Sequence, residues 1–197
     1  MLAPTAWRMA GHDGMEERSG DERARRFRDA ALPHLDDVYT LARYLMRNTA
    51  DAEDAVQECY LRALDHFDGF HGPAIKPWLL AILRNVCNAE FARRGARPQA
   101  ADGADDVCSE QDQPLWQEAP PSPENELLRR HDAETIRRLV ASLPDALRET
   151  LVLRDINNLP YREIADVLSV PVGTVMSRLA RARGMLRAAW NAEGSPR

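Results

Sequence analysis

The sequence predicts an all-α protein made of two small helical domains joined by a flexible acidic linker. Three observations carry this reading. Apolar residues recur at i, i+3, i+4 and i+7 in both halves of the chain. Prolines gather between Pro98 and Pro123, where apolar periodicity is weak. From Pro98 to Glu126 the chain carries eight acidic residues and neither lysine nor arginine. The formal charge of the 197 residues is −5, so everything outside that stretch is net positive. The expected divisions are a disordered tail at 1–23, a helical domain at 24–96, the linker at 97–127, a second helical domain at 128–190 and a short tail at 191–197.

Composition narrows the class. A hydrophobic content of 44% is enough for compact cores. No apolar run reaches the roughly 20 residues of a bilayer helix, and MLAPTAWRMAGHDGMEERSG lacks a charged-then-apolar leader. No membrane insertion is expected, and the cytoplasm is the default location. Cys59, Cys87 and Cys108 form an odd set without CxxC spacing, against a disulfide framework or a zinc ribbon. Cys59 and Cys87 are expected to fill space in apolar helix faces. No cofactor and no enzymatic activity is expected. Lys76 is the lone lysine among the basic residues.

In the first half, DAEDAVQECYLRALDHF reads as a helix capped by Asp51, with acids in its first turn. Ala52, Val56, Cys59, Tyr60, Ala63 and Phe67 form its buried stripe. Opposite lie Asp54, Gln57, Glu58, Leu61 and Asp65, which put a leucine at the centre of an acidic patch. On these residues alone the patch is either a protein-docking surface or a solvated face with one stray leucine. The next segment, HFDGFHG, sets Phe67, Phe70 and His71 in a Gly-rich loop that would suit a base drawn out of its stack, although Phe67 by itself reads as core.

KPWLLAILRNVCNAEFARR then reads as a helix opened by Pro77, burying Leu79, Ile82, Leu83 and Val86. Its other face gathers Ala81, Asn85, Asn88 and Ala92. Two amides among alanines, followed by Arg93, Arg94 and Arg97, can hydrogen-bond exposed bases while the arginines hold phosphates.

In the second half, Ile136, Leu139, Val140 and Leu143 make one helical stripe before Pro144 restarts the chain. Leu147 and Leu151 continue a second helix to about Arg154. Tyr161, Ile164, Ala165 and Leu168 repeat the spacing after Pro160. A break at Ser169-Val170-Pro171 precedes SVPVGTVMSRLARARGMLR, in which Val172, Val175, Leu179, Ala182 and Leu186 line one side. Two short helices around a tight turn, the second basic, have the form of a helix-turn-helix. The last helix presents Thr174, Ser177, Ala180, Arg181 and Gly184 opposite its apolar stripe, with Arg178 and Arg183 on the two shoulders. Small residues permit close approach, the shoulders suit phosphates, and Ser177 and Arg181 suit base edges. The plainer reading is a solvated cationic face.

DAEDAVQECYLRAL, PWLLAILRNVCN and LPYREIADVLSVPVGTVMSRLARARGMLR together resemble bacterial RNA polymerase sigma factors of the extracytoplasmic-function type, over about 27–95 (region 2) and 133–188 (region 4). The resemblance implies a partner, core RNA polymerase, whose beta-prime clamp helices would face Asp54, Gln57, Glu58 and Leu61 and whose beta-flap would take the second domain. It implies promoter DNA as the second partner. Phe70, His71, Trp78, Arg84, Asn85, Asn88, Arg93 and Arg94 would lie at the melted minus-10 element, and Thr174, Ser177, Arg178, Arg181 and Arg183 at the minus-35 element. An anti-sigma factor is a further implied partner. Two departures stand out: Met176 where many relatives carry a basic residue, and Pro160 where a capping serine is usual.

Two other readings compete. A free-standing helix-turn-helix regulator would need a dimer helix or ligand domain, and no segment is left over for one. A metal hydrolase would use Asp51, Glu53, Asp54, Glu58 and His66, but no HExxH or comparable ligand set is present.

Overall fold

The computed structural model describes residues 13–46, 48–95 and 135–193, and among them all regular structure is helical. The first lobe contains α1 (Asp13–Ala31), α2 (Leu35–Met46), α3 (Thr49–His66) and α4 (Ile75–Arg93). The second contains α5 (135–142), α6 (Asp145–Leu151), α7 (Tyr161–Leu168) and α8 (Val172–Glu193). Residues 96–134, which include the expected linker and Cys108, lie outside the described residues.

In the first lobe α2, α3 and α4 pack on one another. Val38, Leu41 and Ala42 of α2, Ala52, Cys59 and Ala63 of α3, and Leu79, Leu80 and Leu83 of α4 are all fully buried. Truncating one of these leucines to alanine should cost about 2–5 kcal/mol. The α3 stripe is buried as its spacing predicts, with Tyr60 and Phe67 partly exposed. Phe67 stacks edge-on against Phe27 at 5.3 Å, which makes it a core residue. Asp51, expected as the cap of α3, lies in its first turn; Asn48 caps the helix by accepting from the Ala50 amide at 3.1 Å. Helix α4 begins two residues before Pro77, and Ile82 is only half-buried because Leu80 and Cys87 take the interior positions.

Helix α1 starts at Asp13, within the stretch 1–23 expected as a tail, whose residues 1–12 lie outside the described residues. Phe27 anchors it in the core, Arg25 pairs with Asp21 one turn back, and Arg23 reaches across to Asp68 at 3.1 Å and to the Leu64 carbonyl.

In the second lobe the helix that ends at about Arg154 by periodicity changes form at Val152. Residues Val152–Ile156 make a π-helical turn, with the Asn157 amide donating to the Val152 carbonyl at 2.9 Å. Asn158 closes it at φ 57°, a left-handed conformation that asparagine tolerates. Buried Arg148 holds the corner between α5 and α6 by donating to the carbonyls of Ala141 and Leu143 and to Asp145. After α7, Ser169 at φ 55° ends the helix with two closing bonds, Ser169 N–H to Asp166 O and Val170 N–H to Ala165 O. These are the paired bonds of a Schellman turn, with serine in the position glycine usually fills.

The lobes are in direct contact. Helix α4 packs on α7, and α2 packs on α6 and the π turn. Two polar seams cross the boundary: Arg84 to Glu149 at 2.8 Å, and the Asn157 side-chain amide to the Asp37 carbonyl and carboxylate at 3.0 and 3.2 Å. Asp37 also receives Lys76 at 2.9 Å.

Candidate nucleic-acid interface

Helices α7 and α8 meet through the turn at Ser169–Pro171, the two-helix arrangement that presents a second helix to a DNA groove. Val175, Leu179, Ala182 and Leu186 bury the inner stripe of α8, while Val172 at its first turn is exposed. The stripe fixes which residues face outward. Arg181 is exposed, and Thr174, Ser177 and Arg178 are half-buried. The Ser177 hydroxyl donates to the Thr174 carbonyl at 3.1 Å, so outward it offers an acceptor. Arg183 differs from its expected place on an open shoulder: Asp155 of the π turn binds it at 2.8 Å, with only 19% and 11% of the two side chains exposed. Its charge is compensated inside the lobe, and its evident effect is to orient α8.

The α4 face is split in a similar way. Asn85 is exposed and Asn88 half-buried. Arg84 is drawn to Glu149 of the second lobe. Arg93 pairs with Glu90 at 2.8 Å, and Arg94 bridges Glu90 and Asp51 with bonds of 2.5 and 2.6 Å. Hydrogen bonds from Arg93 and Arg94 hold the Glu90 carboxyl below the usual range, and Arg94 does the same for Asp51. Arg93 and Arg94, expected at phosphates, each already have a carboxylate, which a phosphate would have to replace.

The loop before α4 carries a contact that spacing did not reveal. Phe70 lies over Trp78 with ring centres 4.7 Å apart and planes tilted by 32°. Gly72 makes this possible, since a Cβ there would sit 2.7 Å from the Phe70 ring. His71 is exposed at the tip.

On α3, Asp54, Gln57 and Leu61 project outward, and Leu61 is 60% exposed. Glu58 is half-buried and takes Arg62 at 2.6 Å. Beside this face, a groove of about 460 Å³ runs between α3 and α4, lined by Asp54, Glu58, Arg62, Glu90, Arg93 and Arg94 over Ala55 and Val86. Among the described residues no three His, Cys, Asp or Glu side chains converge as a metal site; of the set considered for a hydrolase, Asp51 is engaged by Arg94 and Glu58 by Arg62. Cys59 and Cys87 are buried free thiols, and burial pushes both up to about 12. No helix among the described residues is long and apolar enough to cross a membrane.

Sequence reasoning missed Glu149, Asp155, Asn157 and Asp37. They are polar residues in apolar surroundings, and only tertiary packing gives them partners.

Comparison with known proteins assigns the class first. Residues 31–97 match the family described as sigma-70 region 2, and residues 133–186 that described as sigma-70, region 4. The chain is similar to the ECF RNA polymerase sigma-E factor of Haemophilus influenzae, with 33% identity over 147 residues, 74% of this chain and 77% of that protein. It is 34% identical over 167 residues to the RNA polymerase sigma-H factor of Pseudomonas aeruginosa, covering 83% and 84%. Among solved structures it is similar to the sigma factor RpoE in complex with the anti-sigma factor NepR from Bartonella quintana, with a TM-score of 0.64, 26% identity, and 84% and 97% of the two chains covered. The chain belongs to the extracytoplasmic-function (ECF) family of RNA polymerase sigma factors. It is a transcription-initiation factor, not a free-standing regulator.

Proposed function

We propose that this sigma factor docks core RNA polymerase through the acidic, leucine-centred face of α3, with Asp54, Gln57, Glu58 and Leu61 against the beta-prime clamp helices. The second lobe docks on the beta-flap. Helix α8 reads the minus-35 element through Thr174, Ser177, Arg178 and Arg181, with Arg183 holding its orientation. Asn85 and Asn88 of α4 and the Phe70-His71 loop engage the unpaired minus-10 strand, and Trp78, Arg84, Arg93 and Arg94 flank it. The factor itself catalyses nothing, since its part is to position polymerase and capture melted bases. It acts in the cytoplasm and is held in check by an anti-sigma factor.

The observation that most supports this reading is the outward face of α8, where Ser177 and exposed Arg181 stand among small residues on a helix whose other side is buried. Each lobe alone offers few cationic contacts, so specific binding should require both lobes on polymerase. Run-off transcription with core enzyme tests the proposal. Promoter-specific transcripts are expected with the wild-type chain, and Arg181→Ala should weaken promoter use by about 1–3 kcal/mol. A chain that neither binds core nor starts transcription at any cognate promoter would refute it.

A further inference from the structure

Arg93 and Arg94 are neighbours in the chain, yet they are held in different ways. Arg94 is clasped on both sides. Its Nη1 and Nη2 donate side by side to the Asp51 carboxylate at 2.6 and 2.8 Å, and its Nε donates to Glu90 at 2.5 Å. The Asp51 pair ties the end of α4 to the first turn of α3, 43 residues away in sequence. Arg93 has no second carboxylate. Among the described residues it pairs with Glu90, at 3.0 Å through Nε and 2.8 Å through Nη2. Its side chain is 77% exposed, against 47% for Arg94.

Helical geometry separates the two further. At about 3.6 residues per turn, Arg93 stands roughly a quarter-turn from Asn85, the exposed amide of α4, whereas Arg94 stands opposite Asn85, on the side where α3 lies. Glu90 lies between the two arginines and is only 20% exposed, so one shielded carboxylate serves both guanidiniums.

We propose that Arg93 is the phosphate contact of this pair, that Arg94 is a positioning residue, and that Glu90 is an internal counter-anion which a DNA phosphate displaces from Arg93. This rests on the reading of α4 as the helix at the melted strand. The exchange suits Arg93 because Glu90 keeps the Arg94 Nε when Arg93 leaves, so no carboxylate is stranded. It does not suit Arg94, where a phosphate would have to break a two-pronged bond and undo the clasp between α3 and α4. A guanidinium accepts phosphate and carboxylate in the same forked geometry, so Arg93 can change partner without rebuilding its surroundings. Until then Glu90 cancels part of the Arg93 charge, which lowers the attraction of this lobe for arbitrary DNA.

The test is the binding of holoenzyme, core polymerase with the full chain, to a promoter fragment whose minus-10 bases are left unpaired, measured over a range of salt. Each phosphate neutralised on a single strand adds about 0.7 to the slope of log affinity against log salt. Arg93→Gln should weaken binding and flatten the slope by about that amount, and Arg93→Lys, which keeps the charge, should restore most of it. Glu90→Gln should bind several-fold more tightly, because Arg93 then has no carboxylate to leave. In an Arg93→Gln background the same change should gain nothing, since Glu90 acts through Arg93. Arg94→Gln should lower the urea midpoint of the free chain, which Arg93→Gln should leave in place. An unchanged slope in Arg93→Gln, or an equal gain from Glu90→Gln with and without Arg93, would overturn the proposal. A wild-type holoenzyme that binds the fragment no better than core alone defeats the promoter reading itself, whereas a normal wild type with unaltered variants defeats only the exchange at Arg93.

Discussion

The Asp155 carboxylate accepts from Arg183 Nη2 at 2.8 Å and from its Nε at 3.4 Å, tying the π turn to α8 across 28 residues of chain. Both side chains are shielded from water, so removing Asp155 takes a close counter-charge from a poorly solvated guanidinium. Asp155→Ala should lower stability by about 1–3 kcal/mol. The check is a lower urea midpoint at an unchanged slope; an unchanged midpoint would mean that the pair does not hold α8.

A side chain at Gly72 should displace the Phe70 ring rather than the backbone. A methyl group there must push the Phe70 ring off Trp78, because the approach would be 2.7 Å. Gly72→Ala is expected to keep its helical content while losing about tenfold in open-complex yield, about 1.4 kcal/mol. Permanganate reactivity of unpaired thymines measures that yield, and wild-type reactivity would separate the loop from melting.

Leu61 is 60% exposed, so its replacement should leave the fold nearly untouched. Leu61→Glu should change stability by no more than about 0.5 kcal/mol and weaken core polymerase binding by about tenfold or more. Titration of labelled core enzyme decides the point. Equal affinity would show that the docking face lies elsewhere.

The buried thiols and Tyr60 set the alkaline limit of the fold. Burial raises Cys59, Cys87 and Tyr60 to about 12, above ordinary values of 9.0 for the thiols and 10.0 for the phenol. A raised folded pKa means that the contribution is complete below the unfolded value and is lost as pH climbs toward the folded one. Stability should therefore decline from about pH 9 upward, by up to about 1.4 kcal/mol per pH unit for each thiol and by less for the half-exposed, solvent-screened Tyr60. Denaturant titrations from pH 7 to 11 read this slope, and Cys59→Ser with Cys87→Ser should flatten it. Alkylation of both thiols in the native chain at pH 8 should be slow compared with the unfolded chain.

The elements legible in the sequence were those whose signal is periodic. The stripes Ala52–Val56–Cys59–Ala63 and Val175–Leu179–Ala182–Leu186 are buried as their spacing demands, and the turn at Ser169–Pro171 ends α7. What spacing could not give were departures from regular helix and pairings across long separations. The π turn at Val152–Ile156 adds a residue to a helix whose apolar pattern continues without a break. Arg84 is 65 residues from Glu149, and Asn157 is 120 from Asp37; nothing local distinguishes these partners from solvated polar residues. The cap of α3 moved from Asp51 to Asn48 because both residue types cap well and only backbone geometry decides between them. Of the candidate site, the outward positions on α3 and α8 were legible, whereas the internal neutralisation of Arg93, Arg94 and Arg183 was not.

Lys76 is the chain's single lysine, and its ammonium lies 2.9 Å from the Asp37 carboxylate that also receives Asn157. An acylating reagent thus meets one primary amine on a side chain, placed at the boundary of the two lobes. A dye coupled there would report its surroundings without any engineered cysteine. Its emission would report the environment of that boundary in each factor molecule.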